Sequence, residues 1–284
     1  MTGICFTLYN HYDSVHESIM DLLKPFAFAF QDLGHTVVFR KDGIATDALN
    51  IVTEFFDRDA DDKLLESGVR YALIQTEMMT GDTFNNDGIF RQRYKRFMRV
   101  AERAEFVINL VGDTKVPCPS FKCEPGYHPK LMKPDTVTPS VDFCFFGTRS
   151  HRRDEMIKMI CNRGVVVAFC DGAGTEERNR AIQNSKYVLG LRAHWPLECV
   201  SLTRISAALH NQRPVLHERV PVTGRLAHVP FIHHDQDEFD EWCSGLLSKP
   251  GLWEATKDLQ LETFKKCHVT EMMADAMRRA NVKI

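Results

Sequence analysis

Short apolar runs alternate with longer polar stretches between Val141 and Glu218. The runs are 141–146, 165–170, 187–191 and 214–216, and the amphipathic stretches between them are 151–163, 175–184 and 201–210. This alternation is typical of a parallel sheet whose strands are joined by crossover helices. In such a sheet, ligands bind where strands end and helices begin. The pattern therefore predicts an α/β fold and the edge of the sheet that carries the function.

The first part of the chain shows the same alternation. Predicted strands at 4–8, 35–40, 70–75 and 106–111 are separated by helix patterns at 14–33, 63–68 and 90–104. The loop after the first strand carries His11, and Glu77 follows the third strand, where a side chain either reaches a ligand or lies in solvent. We therefore expect a second α/β unit with its own polar strand ends.

The chain length and composition suit two domains. Its 284 residues, 44% of them hydrophobic, suffice for two separate cores. The stretch 116–140 is rich in proline and lacks periodicity, which predicts an interdomain linker. We expect an N-terminal domain at 1–115, a C-terminal domain at 141–250, and terminal helices at 251–284 that pack back on the N-terminal domain.

Cysteine usage and hydropathy indicate a cytoplasmic protein. The chain enters its first strand pattern at once, without a secretory signal, and no apolar run approaches the ~18 residues that span a membrane. The nine cysteines are an odd number, and several lie inside strand patterns, which favours buried, reduced thiols over a disulfide framework.

Neither of two possible metal sites has the necessary context. The acidic run at 57–62 contains Asp-x-Asp spacings, but it precedes a helix pattern, so capping and a solvated turn explain it better. Cys118 and Cys123 lack a second Cys or His pair at zinc-site spacing nearby. We expect no metal and no cofactor.

The net charge of -2 excludes a polyanion binder that works by overall charge. One helix pattern, 90–104, is nevertheless strongly basic. The usual meaning of such a pattern is a solvated face, and the alternative is an electrostatic guide for an anionic acceptor, nucleic acid included. The residues concerned are Arg91, Arg93, Lys95, Arg96 and Arg99.

The turn at Gly147 has the composition of a phosphate site. Glycine at a strand end permits positive φ and close backbone approach to a ligand, and the helix that follows offers free N–H groups. Nearby guanidinium groups, from Arg149, Arg152 and Arg153, would clamp a diphosphate.

A second polar group surrounds the start of the helix pattern 201–210. Glu198 precedes the helix, and Ser201 and Thr203 stand in or before its first turn. This arrangement would hold sugar hydroxyls and phosphate oxygens, or it is simply an N-cap cluster. The last apolar run ends at a further ionisable residue, Glu218.

Several motifs in this order resemble the GT-B glycosyltransferases, and most of all the spore-maturation-type branch of the group 1 families. They are Gly126-Tyr127-His128-Pro129, the run 141–147 with Arg152-Arg153, the stretch 184–189, Glu198 with Ser201 and Arg204, and Arg213-Pro214-Val215. The resemblance covers nearly the whole chain. It implies two Rossmann-like domains with parallel sheets facing a cleft, a C-terminal helix that crosses back, and transfer from a nucleotide-diphosphate sugar without a metal.

The resemblance also implies roles for individual residues. Donor-binding residues would be Gly147, Thr148, Arg149, Arg152, Arg153, His194, Ser201, Leu202, Thr203, Arg204 and Glu218, and Glu198 would contact the donor sugar or ribose. The family's second Glu is missing, because the chain reads Ile205-Ser206-Ala207 there, so either Glu218 binds the ribose or the donor is unusual.

The resemblance leaves the stereochemistry and the acceptor open. An inverting reaction needs an acceptor-side base, for which Glu77 and His11 are the candidates, whereas in a retaining reaction the donor phosphate can take the proton. Two alternatives to a glycosyltransferase with an ordinary hydroxyl acceptor remain. The protein either glycosylates a modified base in DNA, as phage-like enzymes do, or is a non-catalytic nucleotide- or partner-binding module.

Overall fold

A computed structural model describes most of the chain. The described residues are 3–10, 16–54, 56, 59–85, 87–112, 115–170, 174–193, 200–220, 224–233 and 237–284, without the side chains of 16–18 and 233. They form two compact units. Unit 1 comprises Met1–Pro125 and Val269–Ile284, and unit 2 comprises Gly126–His268. Within the described part, no helix is long and apolar enough to cross a membrane.

Unit 1 is built on a six-stranded sheet in which every neighbouring pair is parallel. Its strands are β1 (Gly3–Thr7), β2 (Thr36–Arg40), β3 (Leu49–Thr53), β4 (Tyr71–Gln75), β7 (Val107–Asn109) and β8 (Ser120–Lys122). Their order is β2-β1-β3-β4-β7-β8. A separate hairpin, β5 (Met79–Thr80) with β6 (Thr83–Phe84), follows β4. Strands β3 and β4 are buried throughout, as expected for central strands of a sheet covered on both faces.

The helices of unit 1 pack apolar faces against this sheet. They are α1 (His16–Asp32), α2 (Ala60–Glu66), α3 (Arg91–Ala101) and α9 (Val269–Arg279). In α3, Phe97, Val100 and Ala101 are buried although the helix is strongly basic elsewhere. Helix α9 packs against α1 and β8, which explains why the C-terminal segment belongs to unit 1.

Unit 2 repeats the architecture with five parallel strands. They are β9 (Val141–Phe146), β10 (Val167–Cys170), β11 (Ser185–Gly190), β12 (Val215–Glu218) and β13 (Phe231–His233), in the order β10-β9-β11-β12-β13. The helices are α4 (His151–Asn162), α5 (Thr175–Gln183), α6 (Leu202–His210), α7 (Phe239–Leu247) and α8 (Leu252–Lys265). The strands and helices predicted between 141 and 218 are confirmed, with ends that differ by a few residues.

The predicted linker at 116–140 differs from the observed structure. It contains β8, which pairs with β7. Phe121 in this strand and Cys123 just after it are buried. The later part of the same stretch belongs to unit 2, where Lys133 donates its backbone N–H to the His210 carbonyl oxygen at 2.8 Å. Apolar side chains between the prolines therefore pack into a core, which the proline content alone concealed.

The terminal helices also divide differently from the prediction. Of the stretch 251–284, only the part from Val269 belongs to unit 1, and α8 belongs to unit 2. Helix α8 is tied to strand β12 by Gln260, whose amide accepts from the Val215 N–H at 2.8 Å and donates to the Val215 carbonyl at 3.0 Å. A glutamine that caps a buried strand in this way is a tertiary contact, and helix periodicity does not reveal it.

Candidate functional site

Three strands of unit 2 end beside Gly147. Because the strands are parallel, the residues after Phe146, Gly190 and Glu218 meet at one edge of the sheet. Gly147 has φ +133°, and a Cβ atom there would lie 2.8 Å from Nη2 of Arg204. Glycine at this position therefore permits both the backbone conformation and the close approach of a guanidinium group.

Arg204 is a buried cation with an N–H group available for a hydrogen bond. It lies in the first turn of α6, only 4% exposed, and its Nε and Nη2 donate to the Phe146 carbonyl at 3.1 and 3.0 Å. Its Nη1 has no hydrogen-bond partner in the described part of the protein. Burial, and then the positive charge of Arg153, lower the pKa of Arg204 to about 9. A negative charge placed here would restore the usual preference for the charged form.

Arg153 is the second buried cation at this edge. Its Nε and Nη2 donate to the Leu191 carbonyl at 3.2 and 3.0 Å, and its Nη1 donates to the Thr148 carbonyl at 2.7 Å. Burial lowers the pKa of the Arg153 guanidinium, although the charge of Glu218 opposes this effect. The side chain thereby joins the loops that follow β9 and β11.

Glu218 lies in a position unlike the one expected for a ribose ligand. It is fully buried, forms a two-pronged ion pair with Arg152, and accepts from the Arg192 backbone N–H at 2.7 Å. Arg152 also donates to the Arg192 carbonyl at 3.1 Å. A buried carboxylate is stabilised by such partners. In the structure Glu218 positions Arg152 and the backbone after β11, and both of its oxygens are already bonded.

We call Arg152, Arg153 and Arg204 the arginine cluster. Arg152 is neutralised by Glu218, but neither Arg153 nor Arg204 has a carboxylate within ion-pair distance among the described residues. Two guanidinium groups have therefore been moved out of water without an anion. Such an arrangement is costly unless an anionic ligand completes it.

Other predicted donor residues contribute less directly. Arg149 is exposed and pairs with Asp154, with Nη2 at 3.2 Å from Oδ2. The Thr148 side chain is exposed, and its carbonyl serves Arg153. The N-terminus of α4 is capped by the chain itself, because Ser150 Oγ accepts from the Arg153 N–H at 3.3 Å.

The N-terminus of α6 is different, because Ser201 forms no side-chain cap hydrogen bond there. Leu202 is buried and Thr203 is half-buried, so the first turn presents backbone N–H groups more than side chains. An uncapped helix N-terminus beside two buried guanidinium groups suits an anion. The predicted residues His11, His194 and Glu198 lie outside the described residues.

Sequence reasoning missed the pairing of Gly190 with His217. A Cβ atom on Gly190 would lie 2.0 Å from Cδ2 of His217, which is buried on the neighbouring strand. Burial lowers the pKa of His217 to about 4, so the ring is neutral at pH 7. The available signal was a glycine at the end of an apolar run.

Unit 1 gathers acidic and amide groups at the corresponding edge of its sheet. Glu54 follows β3 and is fully buried, and its carboxylate accepts from Thr76 twice, from N at 2.9 Å and from Oγ1 at 2.5 Å. Burial, and then the charge of Glu77, raise the pKa of Glu54 to about 7. Glu77 is half-buried and accepts from the Asn85 amide.

Two buried amides extend this group. Gln75 and Asn109 pair in register on neighbouring strands β4 and β7. The Gln75 amide donates to the Glu77 carbonyl at 2.9 Å, and each residue has a side-chain oxygen without a partner in the described part of the chain. We call Glu54, Gln75, Thr76, Glu77 and Asn109 the carboxylate–amide row. Glu77 was predicted from the sequence. Glu54 was not, because it lies inside the apolar run 49–56.

The basic helix α3 is largely compensated within unit 1. Arg99 Nη1 lies 3.0 Å from Asp61 Oδ2 and 2.7 Å from Asp62 Oδ1. Arg96 also reaches Asp61, at 3.9 Å, and Arg91 reaches Asp82 at 2.8 Å. Of the predicted nucleic-acid contacts, Arg93 packs over the Phe90 ring and Lys95 is exposed.

No group of three or more metal-ligating side chains occurs among the residues whose placement is described. Of the acidic run, Asp61 lies in the first turn of α2 and is held by the arginines of α3. Its 4% exposed side chain explains why it is paired.

Solved structures with a similar fold are glycosyltransferases. A mutant of the Thermobaculum terrenum O-GlcNAc transferase matches with TM-score 0.52 and 12% identity, over 98% of this chain and 67% of its own. AviGT4, a glycosyltransferase involved in avilamycin A biosynthesis, matches with TM-score 0.51 and 12% identity, over 99% and 98%. A DNA-modifying β-glucosyltransferase, solved with and without uridine diphosphoglucose, matches with TM-score 0.50 and 11% identity, over 99% of both chains.

These likenesses establish the fold. The chain has two Rossmann-like units of the GT-B type, each with a parallel sheet, as the sequence predicted. It spans about two thirds of the first of these proteins and nearly all of the other two. No family model and no curated protein matches the sequence.

Proposed function

We propose that this protein is a glycosyltransferase that moves a sugar from a nucleotide-diphosphate sugar to an acceptor hydroxyl without a metal ion. The observation that carries the proposal is the pair of buried guanidinium groups, Arg153 and Arg204, without a carboxylate partner in the described structure. They lie beside Gly147 and the uncapped N-terminus of α6. A diphosphate supplies the missing negative charge.

The arginine cluster would act on the leaving group. As the bond between the anomeric carbon and the diphosphate oxygen breaks, negative charge accumulates on that oxygen. Guanidinium groups and helix N–H groups that are already fixed stabilise this charge without reorganisation. Arg204 Nη1 is the donor best suited to this role, because its other two nitrogens are held by the Phe146 carbonyl.

Unit 1 would supply the acceptor-side chemistry. In an inverting reaction, Glu77 takes the proton of the acceptor hydroxyl as its oxygen bonds to the anomeric carbon. In a retaining reaction, the departing phosphate takes that proton instead. The product anomer, read by NMR, distinguishes the two.

We further expect a hexose donor and a reducing compartment. The fold is shared with an enzyme solved with uridine diphosphoglucose, which makes that hexose donor the first to test. None of the eight cysteines in the described residues forms a disulfide, and Cys5 and Cys144 are fully buried, as suits a cytoplasmic protein.

A thermal-shift screen of nucleotide diphosphates and nucleotide sugars tests the proposal. A ligand that binds only the folded protein raises its apparent stability, and we expect such a rise for at least one nucleotide sugar, equal with EDTA and with Mg²⁺. In Arg204→Gln we expect affinity to fall at least tenfold. The matched control is Arg163→Gln, which removes a half-exposed guanidinium paired with Asp240 in the same unit.

The outcomes of this screen separate the alternatives. No shift with any nucleotide sugar contradicts the proposal. Binding without transfer or hydrolysis points instead to a non-catalytic nucleotide-binding module. Equal affinity of wild type and Arg204→Gln removes the arginine cluster from the donor site.

A second candidate acceptor is a modified base in DNA. The likeness to the DNA-modifying enzyme over 99% of both chains favours it. The exposed Lys95 would then contact phosphates, since Arg91, Arg96 and Arg99 have acidic partners. The test is DNA binding against salt concentration, which should weaken steeply in wild type and less steeply in Lys95→Gln. Binding that is absent at low salt eliminates this acceptor.

A further inference from the structure

Glu54 is a buried carboxylate that has no cationic partner among the described residues. Its side chain is inaccessible to solvent, and no Lys, Arg or His lies within ion-pair distance of it in the part of the chain that the structure describes. Its hydrogen-bond donors are neutral groups: the N–H and hydroxyl of Thr76 and its own backbone N–H. A carboxylate buried in this way costs stability, so its presence calls for a function.

Glu54 holds Thr76, the residue that directly follows β4. It binds both the N–H and the hydroxyl of Thr76, and Thr76 leads directly into Glu77. Gln75 fixes the same turn from the other side, by donating to the Glu77 carbonyl at 2.9 Å. The turn that carries Glu77 is therefore held at three points by buried groups.

The carboxylate–amide row also contains side-chain oxygens that accept no hydrogen bond within the described structure. Gln75 is fully buried and Asn109 is 4% exposed, yet each has one side-chain oxygen with no partner among the described atoms. Because the Gln75 amide contacts the Glu77 backbone, its free oxygen lies at the same turn. Such oxygens are satisfied by a ligand that brings hydrogen-bond donors.

We propose that Glu54 is a positioning residue for Glu77, and that Gln75 and Asn109 bind hydroxyl groups of a polyol acceptor. This inference rests on the proposed function in its inverting form. The acceptor hydroxyl gives its proton to Glu77 while its oxygen bonds to the anomeric carbon, and the diphosphate leaves with the electrons of the broken bond. Glu54 touches neither the acceptor nor the donor and acts through Thr76.

The charge of Glu54 has a measurable consequence. The charged group that faces it is Glu77 of the same turn, and burial followed by that charge raises the pKa of Glu54 to about 7. A raised carboxyl pKa contributes stability that is fully present below the unfolded pKa, near 4.5, and is lost as the pH rises to about 7. The buried carboxylate is therefore most unfavourable at the pH where the base must be ionised.

The decisive variant is Glu54→Gln, which keeps the shape of the side chain and can still bind Thr76. We expect its transfer rate to fall at least tenfold at pH 8, with donor affinity within twofold of wild type. We also expect its melting temperature to exceed that of wild type at pH 8, and this advantage to disappear by pH 5. A residue with a merely structural role would lower the melting temperature at both values.

The matched control is Glu105→Gln, which removes a surface carboxylate paired with Arg70 in the same unit. It should leave the transfer rate and the pH dependence of stability unchanged. The double variant Glu54→Gln/Glu77→Gln should be no slower than Glu77→Gln alone, because Glu54 acts through Glu77.

Each failure has a distinct signature. If no nucleotide sugar binds wild type, the proposed function fails and the role of Glu54 with it. If the donor binds and is turned over but Glu54→Gln is as fast as wild type, only the role of Glu54 is wrong. Additive losses in the double variant, or a lower melting temperature of Glu54→Gln at both pH values, likewise overturn it.

Discussion

The two units carry opposite chemistry on the same scaffold. Both place their polar groups at the carboxyl edge of a parallel sheet. In unit 2 that edge buries an excess of guanidinium groups, whereas in unit 1 it buries a carboxylate and two amides. The fold supplies the location, and the few residues after each strand decide which charged and hydrogen-bonding groups are found there.

The contrast extends to pH. In unit 2, burial lowers the pKa of His210 and of His217 to about 4, so both rings are neutral and stability is lost as the pH falls below 6.5. In unit 1, Glu54 has the reverse effect and is favourable at low pH. The units should therefore respond to acid in opposite directions.

The largest effect is expected from Gly190→Ala in unit 2. Its Cβ would lie 2.0 Å from the buried His217 ring, which must move into a packed core. We expect a loss of about 3 kcal/mol in the free energy of unfolding. The control is Gly245→Ala, an exposed helical position with nothing within 4 Å, where alanine should stabilise by about 0.5–1 kcal/mol. Chemical denaturation measures both, and equal stability of the two variants would refute this packing.

The predicted loss of stability of unit 2 in acid can be tested with His210→Gln. Protonation of His210 is disfavoured in the fold, so the unfolded chain binds more protons between pH 6.5 and 4. Its replacement should reduce the slope of unfolding free energy against pH by about one proton, or about 1.4 kcal/mol per pH unit. The slope is the relevant quantity, since the variant also loses the contact with the Ser206 carbonyl. An unchanged slope would show that the ring titrates normally.

Gly147→Ala tests the proposed donor site at the edge of the unit 2 sheet. The new Cβ would lie 2.8 Å from Arg204 Nη2 and displace that guanidinium, so donor affinity should fall at least tenfold, about 1.4 kcal/mol. Gly164→Ala is the control, because Gly164 also has positive φ, +78°, but has open space around it. Both variants carry backbone strain, and only Gly147→Ala should lose binding in calorimetric titration.

The smallest effect is expected outside both edges. Arg91 and Asp82 form an ion pair whose side chains are both more than half exposed. Replacing Arg91 with Gln should change the unfolding free energy by less than about 0.5 kcal/mol. A larger loss, measured by denaturation in low salt, would mean that surface charges contribute as much as the buried edges.

The sequence predicted the scaffold well, together with some of the buried polar residues at the strand ends. Strands such as β9 and β11 were predictable because their apolar runs are bounded by glycine or polar turns, and Arg204 was found because it opens a helix. Strands β8 and β13 were missed, since three residues at a sheet edge leave little periodicity.

The missed contacts are those between distant parts of the chain. Glu218 binds Arg152 across 66 residues, and Glu54 binds Thr76 across 22. Such pairings arise when strands become neighbours in a sheet, and they bring Glu218 to Arg152 and bury Glu54 against Thr76. Residue type and spacing carry no trace of them.

The most direct test compares a nucleotide-diphosphate sugar with its nucleoside in calorimetric titrations of wild type and Arg204→Gln. If the arginine cluster binds the diphosphate, wild type should prefer the nucleotide sugar at least a hundredfold, about 2.7 kcal/mol. Arg204→Gln should lose at least tenfold of that preference and bind the nucleoside as wild type does. The same preference in both proteins would show that the buried guanidinium groups of unit 2 do not bind the donor, and would contradict the account.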